Sequence, residues 1–403
     1  MKLIQLNACY GYGSTGIIVR DLQDLCLKHG IECVVAFPKS KGTVICGYNI
    51  GNFLSNKIHA ALARVSGKQG YFSILSTLKF LLFLNHYKPE IIHLHNLHGC
   101  YINLPILLKY AAKRKIAIVV TLHDCWFYTG GCSHYTSVGC DKWLKACGNC
   151  PRRYDETPAY LWDSSSRMLA DRKRLFGNIR NLTCVGVSNW IVEEAHKTVF
   201  KDALCMTIHN GVDTDFFHPM ESGFREDYNL KDKKIILAPA NKWFSEINQD
   251  TFNYFASHLS DEMRMVFIGT GCDEKRLTDK MINLGYVSSR EKLRDIYSAA
   301  NVMVNCTREE SLSLLNVEVQ ACGTPVITYS NTGVKETVDG KCGFAVDNGN
   351  PKELWRVLID VLSKDKIRFR EDCISWVKHT FNKERNYMQY IELYKRIIEN
   401  ISN

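Results

Sequence analysis

No stretch of this 403-residue chain reaches the ~18 consecutive apolar residues that a membrane-spanning helix requires. The first residues, MKLIQLNACYG, lead straight into an apolar strand pattern, without the charged, apolar and small-residue zones of a secretory leader. Zinc-finger, RNA-recognition and helix-turn-helix signatures are missing too, so the net charge of +9 does not by itself argue for nucleic acid. There is no low-complexity segment, and no internal repeat beyond an α/β plan that occurs twice. What remains is the composition of a soluble globular protein, 46% apolar and 23% charged, long enough for two domains with full cores. Seventeen cysteines without a leader are expected to be reduced thiols in the cytoplasm.

The charge is unevenly spread. Residues 1–219 carry 25 Lys+Arg against 15 Asp+Glu, and the remainder is close to neutral. An anionic membrane surface or a pyrophosphate-linked acceptor would suit that excess, although solvated helix faces give the same composition.

The most informative stretch is NCTREESLSLLNVEVQACGTPVITYSNTG, residues 305–333. AANVMVNC (299–306) is an apolar run of strand length. Ser311 or Ser313 can cap a helix whose apolar positions Leu312, Leu315 and Val319 recur at helical spacing until GTP breaks it. PVITYS is a second buried strand, closed by the loop Asn331-Thr332-Gly333. A helix that starts right after a strand loop aims bare N–H groups and its positive end at whatever lies there, commonly a phosphate. Glu310 and Glu318 flank that point. Carboxylates repel phosphate but accept hydrogen bonds from sugar hydroxyls, so the stretch reads as a nucleotide-sugar cradle, with Glu318 for the ribose and Glu310 for the transferred sugar.

The spacing Glu310 to Glu318, followed by ACGTPVI and by Thr332-Gly333-x2-Glu336, resembles the signature of family-4 retaining glycosyltransferases. The resemblance implies two Rossmann-like, doubly wound α/β domains facing a cleft, the glycosyltransferase-B arrangement, with domains at 1–219 and 220–380. It implies that the tail 381–403 is a helix crossing back to the first domain. It implies transfer of a hexose from a UDP- or GDP-sugar with retention, and no catalytic cofactor, because the donor's own phosphate assists. Leu312, Ser313, Leu314 and Leu315 would offer backbone N–H groups to the diphosphate. Tyr286 and Val287 lie where the family holds the base, and Ser14, Thr15 and Gly16 where its glycine loop meets the donor. His123 matches a histidine that contacts the donor sugar. The segment NGVD-x3-F-x-P, 210–219, resembles the family's interdomain segment.

The residues themselves leave alternatives open. KLIQLNA, YGYGSTG, IIVRDLQDLCLKHG and ECVVAFP read as strand, glycine loop, helix and strand. Gly11, Gly13 and Gly16 spell G-x-G-x-x-G, which admits a nicotinamide oxidoreductase, but Glu32 precedes the second apolar run instead of ending it. Residues 52–88 are helical, basic and apolar, either an interfacial amphipathic segment or core helix with a lysine rim. His93 is expected to point into the sheet, and His95, Asn96 and His98 to close the strand as an acceptor-side lining, with the three histidines as metal ligands the alternative; His123-Asp124 is a functional or a structural pair. Cys132, Cys140, Cys147 and Cys150, in an insertion at 130–151, suit a closed structural zinc site; two disulfides or free thiols are the alternatives. This insertion, with TLHDCW before it, resembles the subset of the family tied to capsule and colanic-acid exopolysaccharide assembly.

The match fails at one place. The family's Arg/Lys pair, which neutralises the diphosphate, falls near Glu246 and Ile247. Lys242 is the nearest replacement and Arg308 the next. The reading is a hexosyltransferase of surface polysaccharide synthesis with a lipid-linked glycan acceptor. Its expected place is cytoplasmic, with peripheral contact at the inner membrane face through the basic first domain. A catalytically degenerate relative that binds glycan or a partner is the alternative.

Overall fold

The computed structural model describes residues 1–155 and 158–402; the last residue of the expected tail helix, Asn403, lies outside the described residues. The chain divides into two compact units. One comprises Met1–Ile208 with Tyr387–Asn403, the other His209–Asn386.

The first unit holds a seven-stranded sheet. Its strands are β1 (Lys2–Leu6), β2 (Glu32–Phe37), β3 (Gly47–Asn49), β4 (Ile91–Leu94), β5 (Ala117–Leu122), β6 (Leu182–Gly186) and β7 (Leu204–Thr207), in the order β3-β2-β1-β4-β5-β6-β7. All pairings are parallel. β4 and β5 are buried throughout, as a parallel sheet covered on both faces requires. The strand order reverses next to β1, so crevices open at the carboxyl ends of β1 and β4. The segment 52–88 is two helices, Phe53–Ser66 and Ile74–Tyr87, the first stopped by Gly67 in the left-handed conformation.

The tail helix Lys383–Ser402 contributes its apolar stripe to this unit. Tyr390 and Tyr394 are buried; Tyr394 Oη lies 2.7 Å from His93 Nδ1 and Tyr390 Oη 3.1 Å from Thr121 Oγ1.

The second unit repeats the plan with six parallel strands: β8 (Lys234–Pro239), β9 (Met263–Ile268), β10 (Met281–Asn283), β11 (Val302–Asn305), β12 (Val326–Tyr329) and β13 (Gly343–Val346), ordered β10-β9-β8-β11-β12-β13. It starts at His209, upstream of Pro219. Val212 bridges to Asn382, and Gly211 lies so close to Lys383 that no Cβ fits. The interdomain-like segment is thereby held within this unit.

Candidate active site

The loop after β11 is fixed from below by buried amides. Asn305 Nδ2 donates to Asn316 Oδ1 (2.8 Å) and Ser313 Oγ (3.2 Å), and Asn316 Nδ2 donates to Thr337 Oγ1 (2.9 Å). These bonds lock the start of the helix Leu314–Ala321 against the strand end. Ser313 is the residue before that helix, but its hydroxyl is engaged by Asn305 and makes no capping bond, and Ser311 makes none either. The expected serine cap is therefore not formed, and the first helical N–H groups keep their capacity for a ligand. Leu312 is buried, so it can offer only its backbone.

Four buried polar atoms around this point have no partner among the described residues: Glu310 Oε2, Ser311 Oγ, Asn331 Oδ1 and Thr332 Oγ1. An unpaired buried polar atom costs about 1–3 kcal/mol, so four together mark a place where hydroxyls or phosphate oxygens are expected. Asn331 Nδ2 donates to the Arg308 carbonyl (2.5 Å), tying the β12 loop to the Glu310 loop. Thr332 has φ +49°, a left-handed conformation that a β-branched residue seldom adopts and that is typical of functional loops.

Glu318 lies inside the helix, where Tyr297 Oη donates to it at 3.4 Å. Burial raises its pKa to about 7, against the opposing pull of Arg290 and the tyrosine. Lys242, in the short helix Ala240–Trp243, and Arg308 both act on the buried Cys306 thiol just past β11; burial pushes that thiol's pKa up and the two cations pull it down. Arg308 is further held by Asn248 (2.9 Å) over the Tyr329 ring. Glu246 and Ile247 are exposed on a turn. Glu336 pairs with His209 at 3.1 Å. Tyr286, 75% exposed, and Val287 line a cavity of about 450 Å³ with Tyr228, Ser289 and Lys292, which includes no residue of the Glu310 loop.

In the first unit the glycine loop is shorter than expected. The helix begins at Gly13, so Ser14, Thr15 and Gly16 form its first turn. A Cβ on Gly16 would stand 2.9 Å from Cys9 Sγ and 3.2 Å from its carbonyl oxygen, so only glycine lets this turn lie on the β1 loop. No side chain caps this helix, and Asn7 Nδ2 donates to Thr15 Oγ1 at 3.4 Å.

The expected His123-Asp124 pair is not made. Asp124 accepts from His98 Nε2 (3.0 Å) and the Trp126 amide (2.8 Å). Burial works against its ionisation, but His98 and that amide outweigh it and hold the carboxyl below its usual range. His123 Nε2 instead lies 3.0 Å from His95 Nδ1, and His95 Nε2 lies 3.0 Å from Gln5 Oε1. Gln5 Nε2 donates to Val19 O and Cys33 Sγ, so its Oε1 must accept and His95 carries its proton on Nε2. His95 Nδ1 is then bare, and His123 donates Nε2–H to it. Burial pulls the His123 pKa down to about 4 and puts that of His95 far below its ordinary value, so both rings are neutral near pH 7. His93, bonded to Thr121 and Tyr394, points into the sheet and helix packing. The proton chain through Gln5 could not be read from residue spacing; its only linear trace is a glutamine inside an otherwise apolar strand.

The cysteine insertion does not form the expected zinc site. Cys132, Cys147 and Cys150 influence one another electrostatically, but among the described residues no three ligand-type side chains gather as a metal would need. Local packing fixes the insertion instead. Trp143 is buried against Tyr128 and Tyr135, and Tyr135 Oη donates to Glu194 at 2.5 Å. The buried Arg172 lies on the Trp126 ring and donates to Thr129 O.

Two parallel α/β units, the second with an uncapped helix that follows Glu310 and contains Glu318, have the fold of the glycosyltransferase-B class. The Glycosyltransferase Family 4 model matches residues 16–216 and the Glycosyl transferases group 1 model matches residues 238–364, and the chain belongs to this glycosyltransferase family. It is 23% identical over 363 residues to WcaC of Escherichia coli strain K12, a protein named for glycosyl transfer in colanic acid biosynthesis; the match covers 86% of this chain and 87% of WcaC. Among solved structures, sucrose-phosphate synthase from Thermosynechococcus elongatus superposes with a TM-score of 0.70 at 17% identity, covering 99% of each chain. HepE of Anabaena, in complex with UDP-glucose, gives 0.63 at 13% identity over 100% of this chain and 99% of that one. The nicotinamide reading of the glycine loop has no support in these matches. No helix among the described residues is long and apolar enough to cross a membrane.

Proposed function

We propose that the protein is a retaining hexosyltransferase that moves a sugar from a nucleoside diphosphate, UDP or GDP, to a lipid-linked glycan in surface polysaccharide synthesis. The observation that carries this reading is the open start of the helix Leu314–Ala321, ringed by the unpartnered Glu310, Ser311, Asn331 and Thr332 atoms. Backbone N–H groups of residues 312–315 take the diphosphate, with Lys242 as the nearest cation. Glu318 accepts from the ribose hydroxyls, Glu310 orients the transferred sugar, and Tyr286 and Val287 take the base. His123 and the turn Ser14–Gly16 are assigned to the sugar end of the donor. The donor phosphate shields the leaving group and receives the acceptor proton. The compact units divide at Ile208/His209, about ten residues before the 219/220 limit of the family plan, and the basic first domain meets the inner membrane face.

Release of UDP or GDP from a panel of nucleotide sugars tests the proposal; slow hydrolysis without acceptor is the expected result. Silence with every donor, together with undetectable UDP binding, would favour the second reading, a degenerate relative that binds glycan or a partner. The exposed Glu246 and Ile247, where the family has its cation pair, are the observation behind that alternative.

A further inference from the structure

A cavity of about 340 Å³ on the first unit shares no lining residue with those assigned to the donor. It is lined by Lys39, Lys57, Arg64 and His98, together with Phe53 and Gln69, and among the described residues by no carboxylate. Lys39, Lys57 and Arg64 form no ion pair among the described residues; Lys57 lies only over the Phe53 ring, 4.3 Å from its centroid. Between Glu32 and Glu90 the chain has seven Lys or Arg and no acidic residue, so nothing nearby in sequence neutralises these charges. Three cations that are in no ion pair among the described residues, around one concave site, favour a compact polyanion over a single carboxylate.

The helix that supplies two of these cations has a second face. Phe53, Lys57, Ala60 and Arg64 follow helical spacing along the cavity. One residue further round, Leu54, Ile58, Leu62 and Val65 form a stripe that is 39–66% exposed. The following helix adds Leu75, Leu78 and Leu82, also exposed. The loop Tyr160–Trp162 is bound edgewise to the end of the first helix, by Tyr160 N to Arg64 O (2.7 Å) and Leu161 N to Val65 O (3.2 Å). Trp162 there is 59% exposed. Apolar side chains and a tryptophan beside cations are the pattern of a segment lying in a bilayer interface.

We infer that this cavity binds the diphosphate of a lipid-linked acceptor while the neighbouring stripe rests on the bilayer that carries the lipid. This rests on the proposal that the acceptor is lipid-linked, and it adds where the lipid phosphates are held. The polyanion and the apolar chain of such a molecule would meet adjacent faces of one helix. Glycan length beyond the diphosphate leaves this recognition unchanged, so the site reads the lipid end of the acceptor.

Co-sedimentation with neutral phosphatidylcholine vesicles tests the inference. One set carries geranylgeranyl diphosphate, one carries phosphatidylglycerol at the same total charge, and one carries neither. Selective binding to the diphosphate vesicles is expected. Lys57→Ala with Arg64→Ala should weaken it by at least about tenfold, and Leu54→Ser with Leu62→Ser should weaken it on vesicles while leaving the circular-dichroism spectrum and melting temperature unchanged, which confirms folding. Equal binding to the phosphatidylglycerol vesicles would overturn the diphosphate site, as would no binding at all. So would a dimer in vesicle-free buffer that Leu54→Ser with Leu62→Ser dissociates. Donor hydrolysis is measured separately, so loss of the transferase reading and loss of this site give different results.

Discussion

His123 donates to His95 at 3.0 Å, while Asp124, its neighbour in the chain, pairs with His98 at 3.0 Å. The two residues that look like one catalytic pair in the sequence belong to different networks. The Gln5–His95 chain fixes the tautomer of His123 and leaves its Nδ1 without a proton.

The first prediction concerns that ring. Imidazole ¹⁵N spectra at neutral pH should show His95 and His123 both as Nε2–H tautomers; a proton on His95 Nδ1 would refute the chain. If His123 contacts the donor sugar, His123→Ala should lower kcat by about 10- to 100-fold, the worth of one strong hydrogen bond. The Kd for free UDP should stay nearly unchanged, because UDP lacks the sugar.

Glu318 supplies a pH dependence. Its pKa is raised to about 7 by burial, so in the free protein the carboxyl is about half protonated near neutrality. Ribose hydroxyls donate best to the anion, so binding favours the ionised form. The Kd for UDP should therefore fall by about tenfold between about pH 6 and pH 8, and Glu318→Gln should flatten that slope. For folding the sign is opposite. The folded state holds a proton that the unfolded carboxyl has already lost, so this group removes stability as pH rises from the ordinary carboxylate range through 7.

His59 gives a stability test at a residue with no role assigned in the candidate site. The Gly70 amide donates to its Nε2 at 3.2 Å, so Nδ1 carries the proton and donates to Ser73 Oγ at 2.8 Å. Burial pulls its pKa down to about 4. Between the ordinary histidine value and 4 the unfolded ring binds a proton that the folded ring does not, so stability falls as pH falls through that window. The loss is on the order of 2 kcal/mol by pH 5. Urea midpoints should drop accordingly, and His59→Gln should remove that part of the drop.

Much of this was legible because period and punctuation agree. The apolar runs of both sheets and the helix after β11 follow from spacing, and Glu310 and Glu318 stood out only in that strand–loop–helix setting and through the family resemblance. What was not legible depends on atoms far apart in sequence. Ser313 has the composition of a cap, but Asn305, on the strand before it, takes its hydroxyl. The four cysteines have zinc-like clustering, yet the aromatic packing of Trp143 with Tyr128 and Tyr135 sets the loop, and three thiols do not converge. Ser14–Gly16 reads as loop because of its glycines, whereas the helix starts earlier, at Gly13.

The last prediction addresses the missing cation pair. Lys242 and Arg308 both stand near the end of β11, but Arg308 is also bonded to Asn248 and packed on Tyr329. Lys242 is in no ion pair among the described residues, so its removal tests charge rather than packing. Lys242→Ala should weaken UDP binding by about 10- to 100-fold, as expected for one charge-assisted phosphate contact, with little change in melting temperature. Glu246→Arg tests the complementary point. Glu246 is exposed, so the substitution is tolerated by the fold, and it replaces repulsion with attraction if this turn faces the diphosphate. UDP affinity should then rise at low salt and the gain should shrink as salt is added. An unchanged Kd in both variants would mean that the helix start holds the diphosphate without either side chain.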